Sequence, residues 1–456
     1  MDTIAAIASG MTASGIGIIR ISGPEAVRIL ADIFRPRNLR HPVSSWKPCT
    51  VHYGHVMDED RVIDECLVFY MKGPHTYTTE DTVEIDCHGG PFVMRRILER
   101  VFRAGARPAE PGEFTERAFL GGRIDLTEAE AVMDVISAKS GEALTSSLRQ
   151  LSGSVKEEIS ALRTVILDEL AFLEAALDDP EHYSLDGFPE ELLRKLAPVR
   201  ARLAKLIDSF SEGRILREGI RTVILGKPNA GKSSLLNLLA GEERAIVTDI
   251  EGTTRDVLEE SVRMGELVLN LTDTAGIRRS GDVIEQIGVS RAKDAAERAD
   301  LLLAVLDSSR PLDENDREIL RFLNGRKAVI LYNKSDLPPA FSKEELRAYT
   351  DAPVIGFSAK SGEGIPELEA EVRSLFYSGT LKLNEEVFLT NIRHKNEAEA
   401  ALTSLDLVEA GIRDGFPEDF YSIDLMDAYT HLGAIIGEAV EDDLVDTIFS
   451  KFCMGK

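Results

Sequence analysis

The pattern of hydrophobic and polar positions changes along the chain, and its first part predicts an α+β domain. Short apolar runs predict strands at 16–21 and 81–86, and a hairpin formed by 51–56 and 62–70. An amphipathic helix is predicted to end near Ala104. We assign this domain to residues 1–119.

Apolar residues then recur at helical intervals. Thr127 and Glu130 have the spacing of a capping box, which predicts that a helix begins there. Further helices are predicted at 155–177 and 190–210, and two or three more between 391 and 452. Because helices flank the middle of the chain on both sides, we interpret residues 120–215 and 380–456 as one helical domain interrupted by an insertion. Two separate helical domains are the alternative.

Residues 216–379 alternate between strands and helices. Strand-like runs lie at 222–225, 267–271, 301–306, 328–331 and 353–357. This alternation predicts a parallel, doubly wound sheet, and the whole chain is therefore a multidomain α/β protein. Ligand chemistry is expected in the loops at the carboxyl ends of these strands.

The loop after the first of these strands has the P-loop sequence Gly-Lys-Pro-Asn-Ala-Gly-Lys-Ser-Ser at 226–234, between a strand and a helix. Gly226 and Gly231 let backbone N–H groups surround phosphates at the helix N-terminus. Lys232 can reach the β- and γ-phosphates, and the Ser233 hydroxyl can ligate magnesium. The predicted nucleotide contacts of this loop are Asn229, Ala230, Gly231, Lys232, Ser233 and Ser234.

Three further motifs at strand ends predict that the nucleotide is GTP. The Asp336 carboxylate can accept hydrogen bonds from the N1 and N2 edge of guanine, which adenine cannot supply. Asn333 can brace the loops and Lys334 can lie over the base. The motifs are Asp273-Thr274-Ala275-Gly276, which would hold magnesium and sense the γ-phosphate, Asn333-Lys334-Ser335-Asp336, and Ser358-Ala359-Lys360, whose backbone would meet guanine O6.

The predicted catalytic residues differ from those of Ras-like GTPases. Ile277 stands where those enzymes carry the glutamine that orients the attacking water. Asn229 could instead coordinate a monovalent cation that supplies charge in the transition state. Glu285 could position the water or act as a base, although an ordinary helix residue is the alternative. Thr254, in the segment 252–256, is predicted to ligate magnesium.

The composition of the chain limits its possible partners and its possible location in the cell. The 456 residues carry a net charge of -25, which argues against a broadly basic nucleic-acid surface, so any RNA contact would use a local patch or a partner. No apolar run approaches the roughly 20 residues that cross a bilayer, and no signal peptide is recognisable. The cysteines lack disulfide or metal spacing, which favours the cytoplasm. Cys87 and His88 could suggest a metal site, but a structural role is the better interpretation.

Two segments outside the nucleotide motifs are distinctive, Arg107-Pro-Ala-Glu-Pro-Gly-Glu-Phe-Thr-Glu-Arg-Ala118 and the terminal Phe452-Cys-Met-Gly-Lys456. Through these segments and the nucleotide motifs, the chain resembles the MnmE (TrmE) family of tRNA-modification GTPases over essentially its whole length. It implies a folate-binding N-terminal domain that forms a homodimer, and a helical domain interrupted by a Ras-like GTPase (G) domain. It also implies G domains that pair across the dimer in a potassium-dependent way.

The resemblance also implies roles for individual residues. Potassium would be held by Asn229, the Thr248 and Ile250 carbonyls and Thr253. Magnesium would be held by Ser233 and Thr254, and Glu285 would position water. A 5-formyltetrahydrofolate or related folate would contact Arg20, Glu80, Arg123 and Lys456. Arg123 stands where the family has a lysine, and Cys453 would lie near the folate as a candidate for chemistry.

The implied function is modification of tRNA together with the FAD-dependent protein MnmG. The family installs an aminomethyl-type group, here expected to be carboxymethylaminomethyl, at carbon 5 of the wobble uridine, position 34, of certain tRNAs. The alternative is a GTP-driven ribosome-assembly or RNA-binding switch, but such a protein would carry a basic RNA-binding module. A membrane-associated large GTPase is a third possibility, and no amphipathic basic helix supports it.

Overall fold

The computed structural model describes residues 2–242, 259–272, 295–377, 387–438, 442–453 and 455. The strands are β1 (Ile4–Ile7), β2 (Gly17–Ser22), β3 (Phe34–Pro36), β4 (Thr50–Asp58), β5 (Arg61–Met71), β6 (Thr82–Cys87), β7 (Arg107–Pro108), β8 (Ile220–Leu225), β9 (Glu259–Met264), β10 (Leu267–Thr272), β11 (Leu301–Asp307), β12 (Ala328–Asn333) and β13 (Val354–Gly356). The helices are α1 (Ala26–Ile33), α2 (Pro91–Arg103), α3 (Glu113–Leu120), α4 (Leu126–Ser137), α5 (Gly141–Leu151), α6 (Ser154–Asp178), α7 (Phe188–Glu218), α8 (Lys232–Glu242), α9 (Glu314–Phe322), α10 (Lys343–Leu346), α11 (Ile365–Phe376), α12 (Ile392–Asp414), α13 (Glu418–Ile436) and α14 (Asp442–Phe449).

The chain forms two compact units. The first comprises Met1–Met133, Gln150–Arg200 and Glu397–Lys456, and the second comprises Asp134–Arg149 and Ala201–Asn396. Helices α4, α5, α7 and α12 each contribute residues to both units. The division into two units therefore runs through helices and does not coincide with the four predicted domains. The boundaries of those domains stay a prediction.

The N-terminal part of the first unit is a sheet in the order β3-β4-β5-β6-β2-β1-β7. Neighbouring strands are antiparallel except β1 and β7, which are parallel. One face packs on α1 and α2, and the opposed residues Ile19 and Ile85 are fully buried in that core. The four predicted strands are confirmed with small shifts at their ends. The short strands β1, β3 and β7 were not predicted, because two to four residues are too few to show alternation.

The helical part of the first unit is built on the packing of α6 against α13. Arg163 of α6 donates to Glu438 Oε2 at 2.6 Å, and its guanidinium lies 4.1 Å from the ring centroid of Tyr429. The predicted helices at 155–177 and 190–210 are confirmed by α6 and α7, and those of the C-terminal part by α12, α13 and α14.

The predicted capping box at Thr127 and Glu130 is wrong. The Asp125 carboxylate accepts from the backbone N–H of Glu128 at 2.9 Å, and Glu128 Oε2 accepts from the N–H of Asp125 at 2.7 Å. Asp125 is therefore the N-cap of α4, two positions before the predicted cap. The Asp125 carboxylate also accepts a hydrogen bond from the Thr127 hydroxyl at 2.7 Å.

The second unit contains a sheet in the order β13-β12-β11-β8-β10-β9. Strands β13, β12, β11, β8 and β10 are parallel to one another, as predicted. The edge strand β9 was not predicted, and it pairs antiparallel with β10 across a tight turn. The sequence of β9, Glu-Glu-Ser-Val-Arg-Met, is too polar to indicate a buried strand, and an edge position tolerates it. None of the helices in the described ranges is long and apolar enough to cross a membrane.

Candidate functional sites

The loop between β8 and α8 has a backbone that two glycines make possible. Gly226 and Gly231 have φ angles of 148° and 109°, in the region that side chains disfavour. A Cβ atom at Gly226 would lie 2.5 Å from the Val305 carbonyl oxygen, and one at Gly231 would lie 2.1 Å from Asn333 Nδ2. The loop is thus packed tightly against β11 and the end of β12, and its free side is left for a ligand. Ser233 and Ser234 are exposed in the first turn of α8.

Lys232 is folded over this loop. Its Nζ donates to the carbonyl oxygens of Gly226, at 2.5 Å, and of Lys227, at 2.8 Å. Burial lowers the pKa of Lys232. Among the described residues no carboxylate pairs with this ammonium group, so its charge is available to an anion held in the loop.

Asn333 joins the P-loop to the loop after β13. Its side chain is 2% exposed; Nδ2 donates to the Ala230 carbonyl at 2.7 Å, and Oδ1 accepts from the N–H of Ala359 at 3.0 Å. This is the bracing contact predicted from the sequence. A single buried amide therefore sets the spacing between the loop predicted to hold phosphates and the loop predicted to meet guanine.

The other residues of the predicted guanine loops also have defined partners. Buried Ser358 donates through its hydroxyl to Asp336 Oδ1 at 3.2 Å, which orients the carboxylate. Lys334 has a φ of 65°, and its Nζ lies 2.5 Å from Asp307 Oδ2. Burial opposes the charge of Asp307, but hydrogen bonds from Lys334 and Ser309 hold its pKa below the ordinary value. Asp307 was not predicted from the sequence, although it is the last residue of a strand that leads into the site.

Part of the predicted GTP site lies outside the described residues. The residues concerned are Thr248, Ile250, Thr253, Thr254, Asp273, Thr274, Ala275, Gly276, Ile277 and Glu285. Their roles stay predictions. The structure describes the rest of the predicted site, namely the P-loop, Asn333, Lys334, Asp336, Ser358, Ala359 and Lys360. Apart from Lys360, these residues lie at the carboxyl ends of the neighbouring strands β8, β12 and β13.

A second cluster of charged and aromatic side chains lies on the N-terminal sheet. Arg20 Nε pairs with Glu84 Oε1 at 2.7 Å across β2 and β6. The Arg20 guanidinium lies 5.5 Å from the ring centroids of both Tyr77 and Phe114. Arg123 lies 4.8 Å from the same Tyr77 ring and donates to the Tyr77 carbonyl at 3.2 Å. Two of the predicted folate contacts, Arg20 and Arg123, are thus brought together around Tyr77.

Glu80, a third predicted folate contact, is held by Arg117. Arg117 Nη1 lies 3.1 and 3.0 Å from the two Glu80 oxygens, and the Ser22 hydroxyl donates to Glu80 Oε2 at 2.9 Å. Burial works against the charge of Arg117, but its hydrogen bonds to Glu113 and Glu80 raise its pKa. Arg117 was missed as a site residue, although it lies in the segment 107–118 on which the family resemblance rests.

The C-terminal tail lies beside this cluster. The Gly455 carbonyl accepts from Arg20 Nη1 at 3.3 Å, and the Cys453 carbonyl accepts from the N–H of Gly112 at 3.5 Å. Gly455 has a φ of 86°, and a Cβ there would lie 2.4 Å from the Ile7 carbonyl oxygen. Cys453 is half-buried. Lys456, the fourth predicted folate contact, lies outside the described residues.

The neighbouring Cys87 and His88 have separate environments. Cys87 is buried, and burial raises its thiol pKa to about 11. The His88 ring nitrogen Nδ1 lies 2.7 Å from Asp64, and this hydrogen bond raises the pKa of His88. In the part of the chain that the structure describes, no group of three or more His, Cys, Asp or Glu residues is arranged to hold a metal ion.

Comparison with known proteins decides the family. A family model described as the MnmE helical domain matches residues 126–453, and one described as the N-terminus of the GTP-binding protein TrmE matches residues 3–123. The chain is 51% identical over 455 residues to the tRNA modification GTPase MnmE of Lachnoclostridium phytofermentans, with 100% of this chain and 99% of that protein covered. It is 43% identical to the protein of the same name from Bacillus subtilis over 461 residues, with 100% of both covered. The chain belongs to the MnmE family of tRNA modification GTPases.

Membership in the MnmE family confirms the predicted fold class, because the two family models are those of its N-terminal and helical domains. It also confirms that the chain is a GTPase, as its four nucleotide motifs predict. Among solved structures, the G domain of the Thermotoga maritima FeoB iron transporter is 27% identical and covers 34% of this chain and 98% of its own, at a TM-score of 0.27. That score is too low to carry a further conclusion.

Proposed function

We propose that the chain is a potassium-activated, dimerisation-dependent GTPase that modifies carbon 5 of the wobble uridine of certain tRNAs together with the FAD-dependent protein MnmG. The product would be an aminomethyl-type group, carboxymethylaminomethyl when glycine is the amine. The main support for the proposal is that one chain of the MnmE family has two candidate ligand sites with defined side-chain contacts. One consists of the loops joined by Asn333, and the other is the cluster around Arg20, Tyr77 and Arg123.

The first site fits GTP with magnesium and potassium. Asp336 offers guanine a carboxylate that Ser358 orients, and exposed Ser233 offers magnesium a hydroxyl at the start of α8. Asn229 has a φ of 63°, and within the described ranges its exposed side chain makes no hydrogen bond. An amide oxygen is a ligand that hard cations accept. Potassium held by Asn229 would supply positive charge beside the phosphates, and Lys232 would bind the same phosphates from the loop.

The second site fits a reduced folate. A pterin ring is flat and carries N–H groups, which suits an aromatic face at Tyr77 and a carboxylate at Glu80. The carbonyl and ring nitrogens of a pterin accept hydrogen bonds, which suits the guanidinium groups of Arg20 and Arg123 beside the Tyr77 ring. When bound, the folate would supply a one-carbon unit. The residues of the chain would orient it, and the tail with Cys453 would close one side of the site.

An apolar stripe on the N-terminal sheet supports the homodimer. Val51, Tyr53 and Leu67 are 50%, 42% and 44% exposed, and Tyr53 and Leu67 are opposed on β4 and β5. Their neighbours Cys66 and Val68 point into the core, so the stripe belongs to the other face. Burying such a stripe against a second copy would remove apolar surface from water.

A cytoplasmic location is part of the proposal. The four cysteines are free in the structure, as a reducing compartment would keep them.

Reconstitution tests the proposed function. Purified chain is incubated with MnmG, unmodified tRNA transcript, GTP, magnesium, potassium, FAD, a reduced folate and glycine, and the digested tRNA is analysed by liquid chromatography and mass spectrometry. We expect a modified uridine at position 34 that disappears when either protein or GTP is omitted. An unmodified uridine 34 in the complete mixture, with both proteins folded, would contradict the proposal.

A further inference from the structure

One face of α13, together with the turn before it, exposes apolar side chains. The exposed fractions are 52% for Phe416, 53% for Phe420, 60% for Ile423 and 47% for Met426. We name these four residues the α13 patch. The opposite face of the helix is buried. Exposed apolar side chains that lie together, rather than singly, are typical of protein interaction sites.

The aromatic end of the α13 patch is held in place by the fold. The backbone N–H of Phe416 donates to the Gly411 carbonyl at 3.0 Å, and the buried Tyr421 donates through its hydroxyl to the Phe416 carbonyl at 2.7 Å. The ring centroids of Phe416 and Phe420 are 6.0 Å apart. Because the turn is already ordered, a partner that docks on these rings would not have to order it.

Acidic residues are interleaved with the α13 patch. Asp419, Asp424 and Asp427 lie on the same helix, which contains no Lys or Arg. Within the described ranges none of the three has an ion-pair partner. Burial, and then the neighbouring Asp427, raises the pKa of Asp424.

The negative charge around the α13 patch favours some binding partners over others. RNA phosphates and anionic lipid surfaces would be repelled by the three carboxylates. A second copy docked about a twofold axis would bring acid against acid. A protein surface with Lys and Arg among apolar side chains would be attracted and would pair the carboxylates.

We propose that the α13 patch binds the FAD-dependent partner, through a surface of that partner on which apolar side chains are flanked by Lys and Arg. The inference rests on the proposed function, which requires a protein partner besides a second copy. It adds where on this chain that partner docks.

Titration calorimetry with purified MnmG tests the assignment. The full chain is compared with a Phe420→Ser/Ile423→Ser variant and with a Leu167→Ser control, which removes a 43% exposed leucine from α6. We expect the patch variant to bind MnmG roughly tenfold more weakly or worse, because central apolar anchors carry much of an interface's affinity. The control should stay within about twofold. An Asp419→Lys/Asp427→Lys variant should also bind more weakly, and all variants should keep their basal GTP turnover, which shows that they are folded.

The outcomes separate this inference from the proposed function. Equal affinity of the wild-type chain and the patch variant would overturn the docking site and leave the partnership intact. No binding by the wild-type chain would contradict both. A fall in the light-scattering mass of the free chain on Phe420→Ser/Ile423→Ser would overturn the inference, because it would show that a second copy covers the patch.

Discussion

Replacing Asn333 by aspartate tests the contact that joins the P-loop to the loop after β13. The substitution keeps the shape of the side chain and the oxygen that accepts from Ala359. It puts a second oxygen where Nδ2 now donates to the Ala230 carbonyl at 2.7 Å. Donor and acceptor thus become two facing acceptors at a site that is 2% exposed.

The magnitude follows from the buried geometry. A buried carbonyl left without its donor costs about 1–3 kcal/mol, which includes the lost hydrogen bond. This cost corresponds to roughly 5- to 140-fold in an equilibrium constant. Because the P-loop must take up its braced position to hold phosphates, we expect most of this loss in the affinity for GTP.

Titration calorimetry with a non-hydrolysable GTP analogue measures the effect. Asn324→Asp is the matched control, because Asn324 Nδ2 donates to the Tyr349 carbonyl at 3.0 Å but is exposed and precedes β12 at its other end. The control should bind within about twofold of the wild-type chain. Wild-type affinity in Asn333→Asp, with the control also unchanged, would refute the view that this amide sets the loop spacing.

Three further predictions concern specificity, catalysis and pH. Asp336→Asn should weaken GTP binding roughly 100-fold or more and reduce the preference over ATP, since two hydrogen bonds to a charged acceptor are lost; unchanged competition between GTP and ATP would count against it. Glu285→Ala should bind GTP normally and hydrolyse it slowly in a single-turnover assay, and wild-type turnover would remove Glu285 from the catalytic set. Asp64→Asn should lower the pKa of His88 towards about 6.5 in an NMR titration, because the hydrogen bond to Asp64 is the largest cause of the raised pKa. The His88 pairing stabilises the fold below that ordinary pKa and is lost as the pH rises through the raised one, and an unshifted titration in the variant would contradict the pairing.

The sequence predicted well those parts of the fold that local pattern determines. Strands β8, β10, β12 and β13 are apolar runs that lead into motif residues, so these strands and their ligand-binding ends could be predicted together. Strand β11 was predicted from its apolar run alone. Strand β9 could not be predicted, because its pairing depends on an edge position that its polar sequence does not reveal. The start of α4 was misplaced because Thr127 and Asp125 both offer oxygen atoms for a cap, and only the structure shows that Asp125 accepts the backbone N–H of Glu128.

In the candidate sites too, residues of local motifs could be predicted, and residues that act through long-range contacts could not. Asn333 was assigned as a brace from its motif, and its two hydrogen bonds fit that role. Arg117 was missed because its importance comes from non-local contacts, to Glu80 and Asp2, that sequence spacing does not encode. Tyr77 was missed for the same reason, since only folding brings Arg20 and Arg123 to its ring.

GTP turnover in potassium chloride and in sodium chloride, at equal ionic strength, tests whether a cation held by Asn229 supplies positive charge in the transition state. We predict much faster turnover in potassium, and loss of that difference in Asn229→Ala. Equal rates of the wild-type chain in the two salts would contradict the cation mechanism.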